Sequence, residues 1–210
     1  MRNCIFSFLL SLLFLSHSYA RPISYSGGTT IMQSNNDIKN SLHIHYSPSY
    51  KYSLGYKFEY HKNKHITLNA IQLNNLINRW NMQEAQANIY LKSAMGNAHK
   101  SANNNFFTFT GIAADFETRK YFVSYANRYY ASKNDLINYF EQQMRIGIAP
   151  YVANYGKIHS WLMLEFSEQN DNKYKKQTIS SLIRVFKQNH LFELGYNSRK
   201  KILFNFITRF

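Results

Sequence analysis

The chain ends with Ile202-Leu203-Phe204-Asn205-Phe206-Ile207-Thr208-Arg209-Phe210. Successive side chains of an extended strand point to opposite faces. Phe204, Phe206 and Phe210 therefore share one face, and Asn205 and Arg209 share the other. This stretch predicts a β-strand with one aromatic and one polar face.

A final strand that ends on an aromatic residue, with aromatics at even offsets before it, resembles the C-terminal strand of Gram-negative outer-membrane β-barrels. The resemblance implies that Phe204, Phe206 and Phe210 form the signal read by the barrel assembly machinery. It also implies that this strand closes the barrel, and that the protein lies in the outer membrane of a Gram-negative bacterium.

The other end of the chain predicts export. Met1-Arg2-Asn3 is a basic start, the run 5–15 is apolar, and Ser18-Tyr19-Ala20 offers the small residues of a cleavage site. The apolar run is about half the roughly 20 residues that a spanning helix needs. We therefore expect a signal peptide over 1–20 and a barrel over 21–210. The single cysteine, Cys4, would leave with the signal peptide, so the mature chain has no thiol.

The composition favours a barrel over a helical membrane protein. The chain holds 17 Tyr and 16 Phe but only 8 Gly and 3 Pro, and its mean hydropathy is −0.44. A barrel permits this because only alternate residues meet lipid and the others face a polar lumen. The length suits one domain.

Strict alternation is clearest over 41–61, where Leu42, Ile44 and Tyr46 alternate with polar residues. Continuing this pattern predicts strands at 24–34, 40–47, 50–61, 64–74, 84–95, 106–116, 120–130, 136–149, 157–167, 177–187, 190–197 and 201–210. The fold class is an all-β transmembrane antiparallel barrel of about twelve strands, an even number as such barrels require. Ten or eight strands remain alternatives, because 74–82 lacks clean alternation and 158–166 is apolar on both faces.

With both chain ends on the periplasmic side, the register puts outer loops near 35–39, 62–64, 96–105, 131–135, 168–176 and 198–200. Most loop cations fall there. The predicted basic rim consists of Lys62, Lys64, Lys173, Lys175, Lys176, Arg199 and Lys200. Such a rim would face lipopolysaccharide, whose phosphates attract Lys and Arg. Outer-membrane lipid is thus an expected partner, and nucleic acid is not, because export argues against it.

The same alternation predicts a lumen charge network. It comprises Lys51, Lys57, Glu59, Glu84, Lys92, Arg128, Glu141, Arg145, Arg184, Glu193 and Arg209. These residues either brace a closed structural barrel or line a narrow water-filled pore. A twelve-stranded barrel lies between small filled barrels and wide channels. We expect a monomeric, narrow, porin-like channel or an envelope-structural protein without a cofactor.

Histidines suggest a metal site as an alternative. His43 and His45 lie on one polar face, roughly 7 Å apart. Two imidazoles at that spacing could share a transition metal if a neighbouring strand supplied a third ligand. The possible suppliers are His61, His65 and His159.

An enzyme is the further alternative. His45 and Ser47 share a face and could act as base and nucleophile. His-x-Ser on a strand resembles lipid A 3-O-deacylase barrels over three positions, and implies lipid-modifying, deacylase-like or lipase-like activity. Pro48 stands where that family has Asn.

Overall fold

The computed structural model describes residues 23–101, 103–154, 156–171 and 174–210. Within them, twelve antiparallel strands form one closed barrel in which each strand pairs with its sequence neighbours. The strands are β1 (Gly28–Asn35), β2 (Lys39–Ser49), β3 (Tyr52–His61), β4 (Ile66–Asn81), β5 (Ala85–Lys100), β6 (Asn103–Thr118), β7 (Tyr121–Ser132), β8 (Asn138–Ile148), β9 (His159–Asp171), β10 (Tyr174–Lys187), β11 (His190–Asn197) and β12 (Ile202–Arg209). The predicted all-β barrel of twelve strands is confirmed. The predicted signal peptide lies outside the described residues.

The barrel closes between its first and last strands. β12 pairs with β1 from Thr30 opposite Arg209 to Asn35 opposite Phe204. The backbone N–H of Phe210 donates to the Thr29 carbonyl at 2.9 Å, and the Thr29 N–H donates to the Phe210 carbonyl at 3.0 Å. Closure in this way pairs both edges of the sheet.

The two faces of the wall differ as the alternation predicts. Apolar side chains such as Ile44, Tyr56, Ile112 and Leu164 are exposed on the outside. Polar and charged side chains are buried on the inside. No helix among the described residues is long and apolar enough to cross a membrane.

The connections alternate between two ends of the barrel. We call the end that holds Ile23, the first described residue, and Phe210 the inner end, and the opposite end the outer end. The inner turns are 50–51, 82–84, 119–120, 149–158 and 188–189. The outer connections are 36–38, 62–65, 101–102, 133–137 and 198–201, with a further one after β9. A 3-10 turn, Lys133–Asp135, lies in the fourth of these.

The predicted strands 64–74 and 84–95 leave 75–83 as an inner turn, but residues 75–81 of this amide-rich stretch are instead the last part of β4. The register shifts between Leu76 and Asn78 at a β-bulge. A bulge adds one residue to a strand and reverses the facing of the residues that follow. It brings Arg79 inward, where its Nε donates to Asn88 Oδ1 at 2.7 Å. The broken alternation therefore marked a bulge, and β4 is longer than predicted.

Inward glycines let neighbouring strands approach closely, as at Gly96 and Gly111. A Cβ on Gly96 would lie 1.9 Å from the Asn69 carbonyl oxygen, and one on Gly111 would lie 2.0 Å from that of Asn127. No side chain fits at either distance. Glycines of this kind mark the sharply curved parts of a barrel wall.

Candidate functional site: the barrel interior

A cavity of about 1620 Å³ runs through the barrel interior. At the inner end it is lined by Gln83, Arg119 and Val152, which belong to three different turns. At the outer end it is lined by Asn36 and Asp37 of the β1–β2 loop. The same cavity therefore reaches both mouths of the barrel.

The outer half of the interior is filled on one side by an apolar cluster. It consists of Ile66, Leu68, Ala70, Ala94, Ala98, Phe107, Phe109, Tyr130, Ile137 and Tyr139, all buried. The Tyr130 and Tyr139 rings are stacked with centroids 4.5 Å apart. None of these ten side chains borders the cavity. The open route to the outer mouth therefore runs along β1 and β9–β12.

A set of polar contacts, here called the crossing network, spans the interior from β2 and β3 to β7 and β8. Lys39 Nζ lies 2.8 Å from Glu141 Oε2 and 3.4 Å from Glu59 Oε1. Tyr130 Oη donates to Glu59 Oε2 at 3.0 Å. Arg128 Nη1 lies 3.1 Å from Glu141 Oε1. Because β2 and β8 stand six positions apart in a ring of twelve, these contacts bridge opposite walls and narrow the lumen.

A second set, here called the wall network, lies along β8–β12 on the open side. Glu193 is at its centre and is 2% exposed. Its carboxylate lies 2.6 Å from Arg184 Nε and 3.1 Å from Arg145 Nη1, and it accepts a hydrogen bond from Asn205 at 2.6 Å. Arg145 Nη2 also lies 2.6 Å from Glu165 Oε2. The open route to the outer mouth thus passes between the crossing network and the wall network.

Most of the residues predicted for the lumen network lie inside the barrel. Inward positions hold Lys57, Glu59, Lys92, Arg128, Glu141, Arg145, Arg184, Glu193 and Arg209. Lys51 and Glu84 lie outside the strands, because β3 starts at Tyr52 and β5 at Ala85. Both are exposed in inner turns, where Glu84 borders the inner mouth of the cavity.

Two charged members of the networks were missed from the sequence. Lys39 was assigned to an outer loop, but it is the first residue of β2 and points into the lumen. Glu165 lies in the stretch that is apolar on both faces. Its facing becomes readable only from its pairing with Ser180 and Arg145.

The five histidines considered as metal ligands do not form one cluster; His65, for example, lies with its Nδ1 3.0 Å from Tyr60 Oη. The His43 and His45 rings are neighbours, with centroids 4.6 Å apart. His61 Nε2 instead lies 3.4 Å from Glu59, and His159 packs on Trp161 near the inner end, 5.2 Å between centroids. No group of three or more His, Cys, Asp or Glu among the described residues is arranged to hold a metal ion.

The proposed His45–Ser47 pair also lacks catalytic geometry. Ser47 Oγ accepts the backbone N–H of Ser24 at 3.0 Å. Neither ring nitrogen of His45 has a hydrogen-bond partner among the described residues. A nucleophile and its base need a hydrogen bond between them, and this pair does not form one.

Residues just before β1 enter the inner mouth, although the sequence predicted a strand from residue 24. Ile23 is 2% exposed and packs in a cluster with Tyr90 and Ala113. The Gly27 N–H donates to the Ser47 carbonyl at 2.8 Å. This segment narrows the inner half of the interior.

Several cations of the predicted rim already have anionic partners. Lys64 pairs with Asp171 across the outer mouth, and Lys176 points inward to Asp37 at 2.8 Å. Lys175 lies 3.1 Å from Glu168. Arg199 and Lys200 are exposed in the β11–β12 turn, beside exposed Lys201. Lys62 lies in the β3–β4 loop and donates to Asn35 Oδ1 at 2.8 Å, whereas Lys173 is outside the described residues.

No family model matches the chain, and no curated protein matches it in sequence. Solved structures do match. The KdgM porin in complex with disordered oligogalacturonate has a TM-score of 0.50 and 13% identity, over 87% of this chain and 98% of that one. OccAB4 of Acinetobacter baumannii has a TM-score of 0.43 and 8% identity, over 92% of this chain and 56% of that one. The first likeness shows the fold: this chain is a closed twelve-stranded barrel of the kind formed by outer-membrane porins.

Proposed function

We propose that the chain is a narrow, water-filled channel of the outer membrane that passes small hydrophilic solutes as a monomer. The observation that supports it is the cavity that is lined by residues of both end loops. The inner end would face the periplasm, because Ile23 and Phe210 lie at that end and an outer-membrane barrel with an even number of strands has both chain ends on the periplasmic side. The channel is narrow because the apolar cluster and the crossing network close one side of its outer half.

The lining predicts weak discrimination by charge. Among the described residues, nine Lys or Arg and nine Asp or Glu border the cavity. Opposite charges in equal number leave no strong net field along the passage. We therefore expect solute size to limit passage more than the sign of the charge.

The test uses the absence of cysteine after position 4. Ser180 faces the passage from β10, and Ala98 lies in the apolar cluster on the filled side. We expect a charged methanethiosulfonate reagent to reduce the single-channel conductance of refolded Ser180→Cys and to leave that of Ala98→Cys unchanged. Equal effects on both variants, or no conductance before modification, would overturn the proposal.

We propose further that the exposed cations of the β11–β12 turn contact lipopolysaccharide phosphates. Arg199, Lys200 and Lys201 support this, since they project from the outer end. Burial, together with the nearby Lys201 ammonium, lowers the pKa of Lys62, while Asp37 opposes the shift. Because burial and a neighbouring cation disfavour the charged form of Lys62, a phosphate placed beside this ammonium would stabilise it.

The rim proposal is tested with two triple variants. Arg199→Gln/Lys200→Gln/Lys201→Gln should weaken lipopolysaccharide binding to the folded barrel. The matched control, Lys51→Gln/Lys120→Gln/Lys157→Gln, removes three exposed cations from the inner end and should not. Similar losses in both variants would indicate non-specific attraction to net positive charge and would contradict the proposal.

We propose that Phe204, Phe206 and Phe210 are read by the barrel assembly machinery. Phe204 and Phe206 lie on the outward face of β12, and Phe210 is exposed. Phe210→Ser should lower the amount of folded barrel in cells, while refolding in vitro proceeds. A loss of refolding in vitro as well would show a structural role instead.

A further inference from the structure

A cationic alcove lies on the β2–β7 side of the cavity, at mid-height. Lys92 of β5 stands opposite Gly111 of β6, and Arg128 follows on β7. The two cations are therefore two strand spacings apart, roughly 10 Å. Both cations line the cavity, and Gly111 adds no side chain between them, because the β7 backbone takes up the position that its Cβ would need.

Lys57 and His43 extend the alcove towards β2. They stand directly opposite each other in the β2–β3 ladder, and both line the cavity. Lys57, Arg128 and Lys92 all act electrostatically on the His43 ring. Four nitrogen-bearing side chains thus face one region of the lumen.

The positive charge of the alcove is only partly balanced. Arg128 pairs with Glu141 and Lys57 lies 3.4 Å from Glu59, but both carboxylates also serve Lys39 of the crossing network. Lys92 has no carboxylate within ion-pair distance in the described part of the chain. Asp115 of β6 attracts Lys92 electrostatically. The Oδ1 of Asp115, however, also accepts a hydrogen bond from Asn88 at 2.7 Å.

His43 supplies a second, independent indication of a ligand. Its side chain is 4% exposed, and its Nε2 has no hydrogen-bond partner among the described residues. A buried polar atom without a partner is costly, and it commonly marks a place that an unobserved water or ion occupies. Here that atom belongs to a cavity-lining residue beside three cations.

We propose that Lys57, Lys92, Arg128 and His43 form a binding site for a small oxyanion with at least two negative charges, such as phosphate or a dicarboxylate. Guanidinium and ammonium groups bind such oxygens through charge-assisted hydrogen bonds. The site would be reached through the cavity that all four residues line; the apolar cluster closes only the β4–β8 side of its outer half. Binding at this site is separate from conduction, and it can exist in a barrel that does not conduct.

The experiment measures binding of inorganic phosphate to the refolded chain 21–210 in detergent by titration calorimetry at constant ionic strength. We expect saturable binding by the unchanged chain and a loss of at least about tenfold in Lys92→Met, which corresponds to one charge-assisted hydrogen bond. The matched control is Lys133→Met, which removes an exposed cation from the outer 3-10 turn. It should bind phosphate like the unchanged chain.

A second measurement guards against a misfolded variant. Phosphate should raise the thermal midpoint of the unchanged chain and of Lys133→Met, because a ligand of the folded state stabilises it. It should not raise that of Lys92→Met, whose heat-modifiable mobility in gels shows whether it is folded. No saturable binding, or equal binding by folded Lys92→Met, would overturn the proposal. Neither result depends on conductance, so the site and the channel can fail separately.

Discussion

Replacing Glu193 by glutamine is expected to weaken the barrel strongly. The carboxylate is 2% exposed and serves Arg145, Arg184 and Asn205 at once. Glutamine keeps the shape of the side chain but removes its negative charge. The buried guanidinium groups of Arg145 and Arg184 then lose the carboxylate that they share. Breaking a buried ion pair from one side costs about 3–5 kcal/mol. That is roughly two to four orders of magnitude in the unfolding equilibrium constant.

The assay is reversible urea unfolding of the chain 21–210 in lipid vesicles, followed by tryptophan fluorescence. Glu84→Gln is the control, because Glu84 is exposed in an inner turn and a surface change of this kind is expected to stay within about 0.5 kcal/mol. Adding Arg184→Gln to Glu193→Gln should cost less than the sum of the single changes, because it removes one of the stranded charges. Glu193→Gln with the stability of the unchanged chain would refute the reasoning.

Two further changes test the lumen and the wall. Lys39→Ala should raise the single-channel conductance, because it removes the bridge to Glu141. It should also shift selectivity towards cations, because the carboxylates of Glu141 and Glu59 remain. An unchanged conductance would mean that Lys39 does not narrow the route. Gly96→Ala should prevent refolding or lower stability by several kcal/mol, since its Cβ would meet a backbone oxygen at 1.9 Å. The control Gly147→Ala meets the flexible Met163 side chain at 3.0 Å and should be tolerated, so equal stability of the two variants would contradict the close approach.

The strands and their facing could be predicted from the sequence because period-two alternation is local. The run from Leu42 to Ser47 shows its two faces without knowledge of any neighbour. The end of β4 could not be predicted in this way. Its bulge depends on the pairing of Leu76 and Asn78 with β5, which lies beyond the local pattern.

The division of the lumen could not be predicted either. Ile66, Leu68 and Phe107 point inward although they are apolar, which departs from the expected polar interior. These apolar side chains are accommodated because they pack on one another. Which of them meet depends on how far each strand is shifted along the barrel axis relative to its neighbours, and a local sequence pattern does not give that shift. The pair Lys39–Glu141 likewise joins residues about a hundred positions apart. The sequence therefore predicted most of the charges that face inward, although not Lys39 and Glu165, and it did not predict which of them meet.

Single-channel recording of the refolded chain 21–210 in a planar bilayer tests the central claim most directly. The account predicts discrete, small conductance steps with weak preference between small cations and anions. Heat-modifiable barrels that insert but show no steps would contradict an open route along β1 and β9–β12. They would instead indicate a closed, structural barrel.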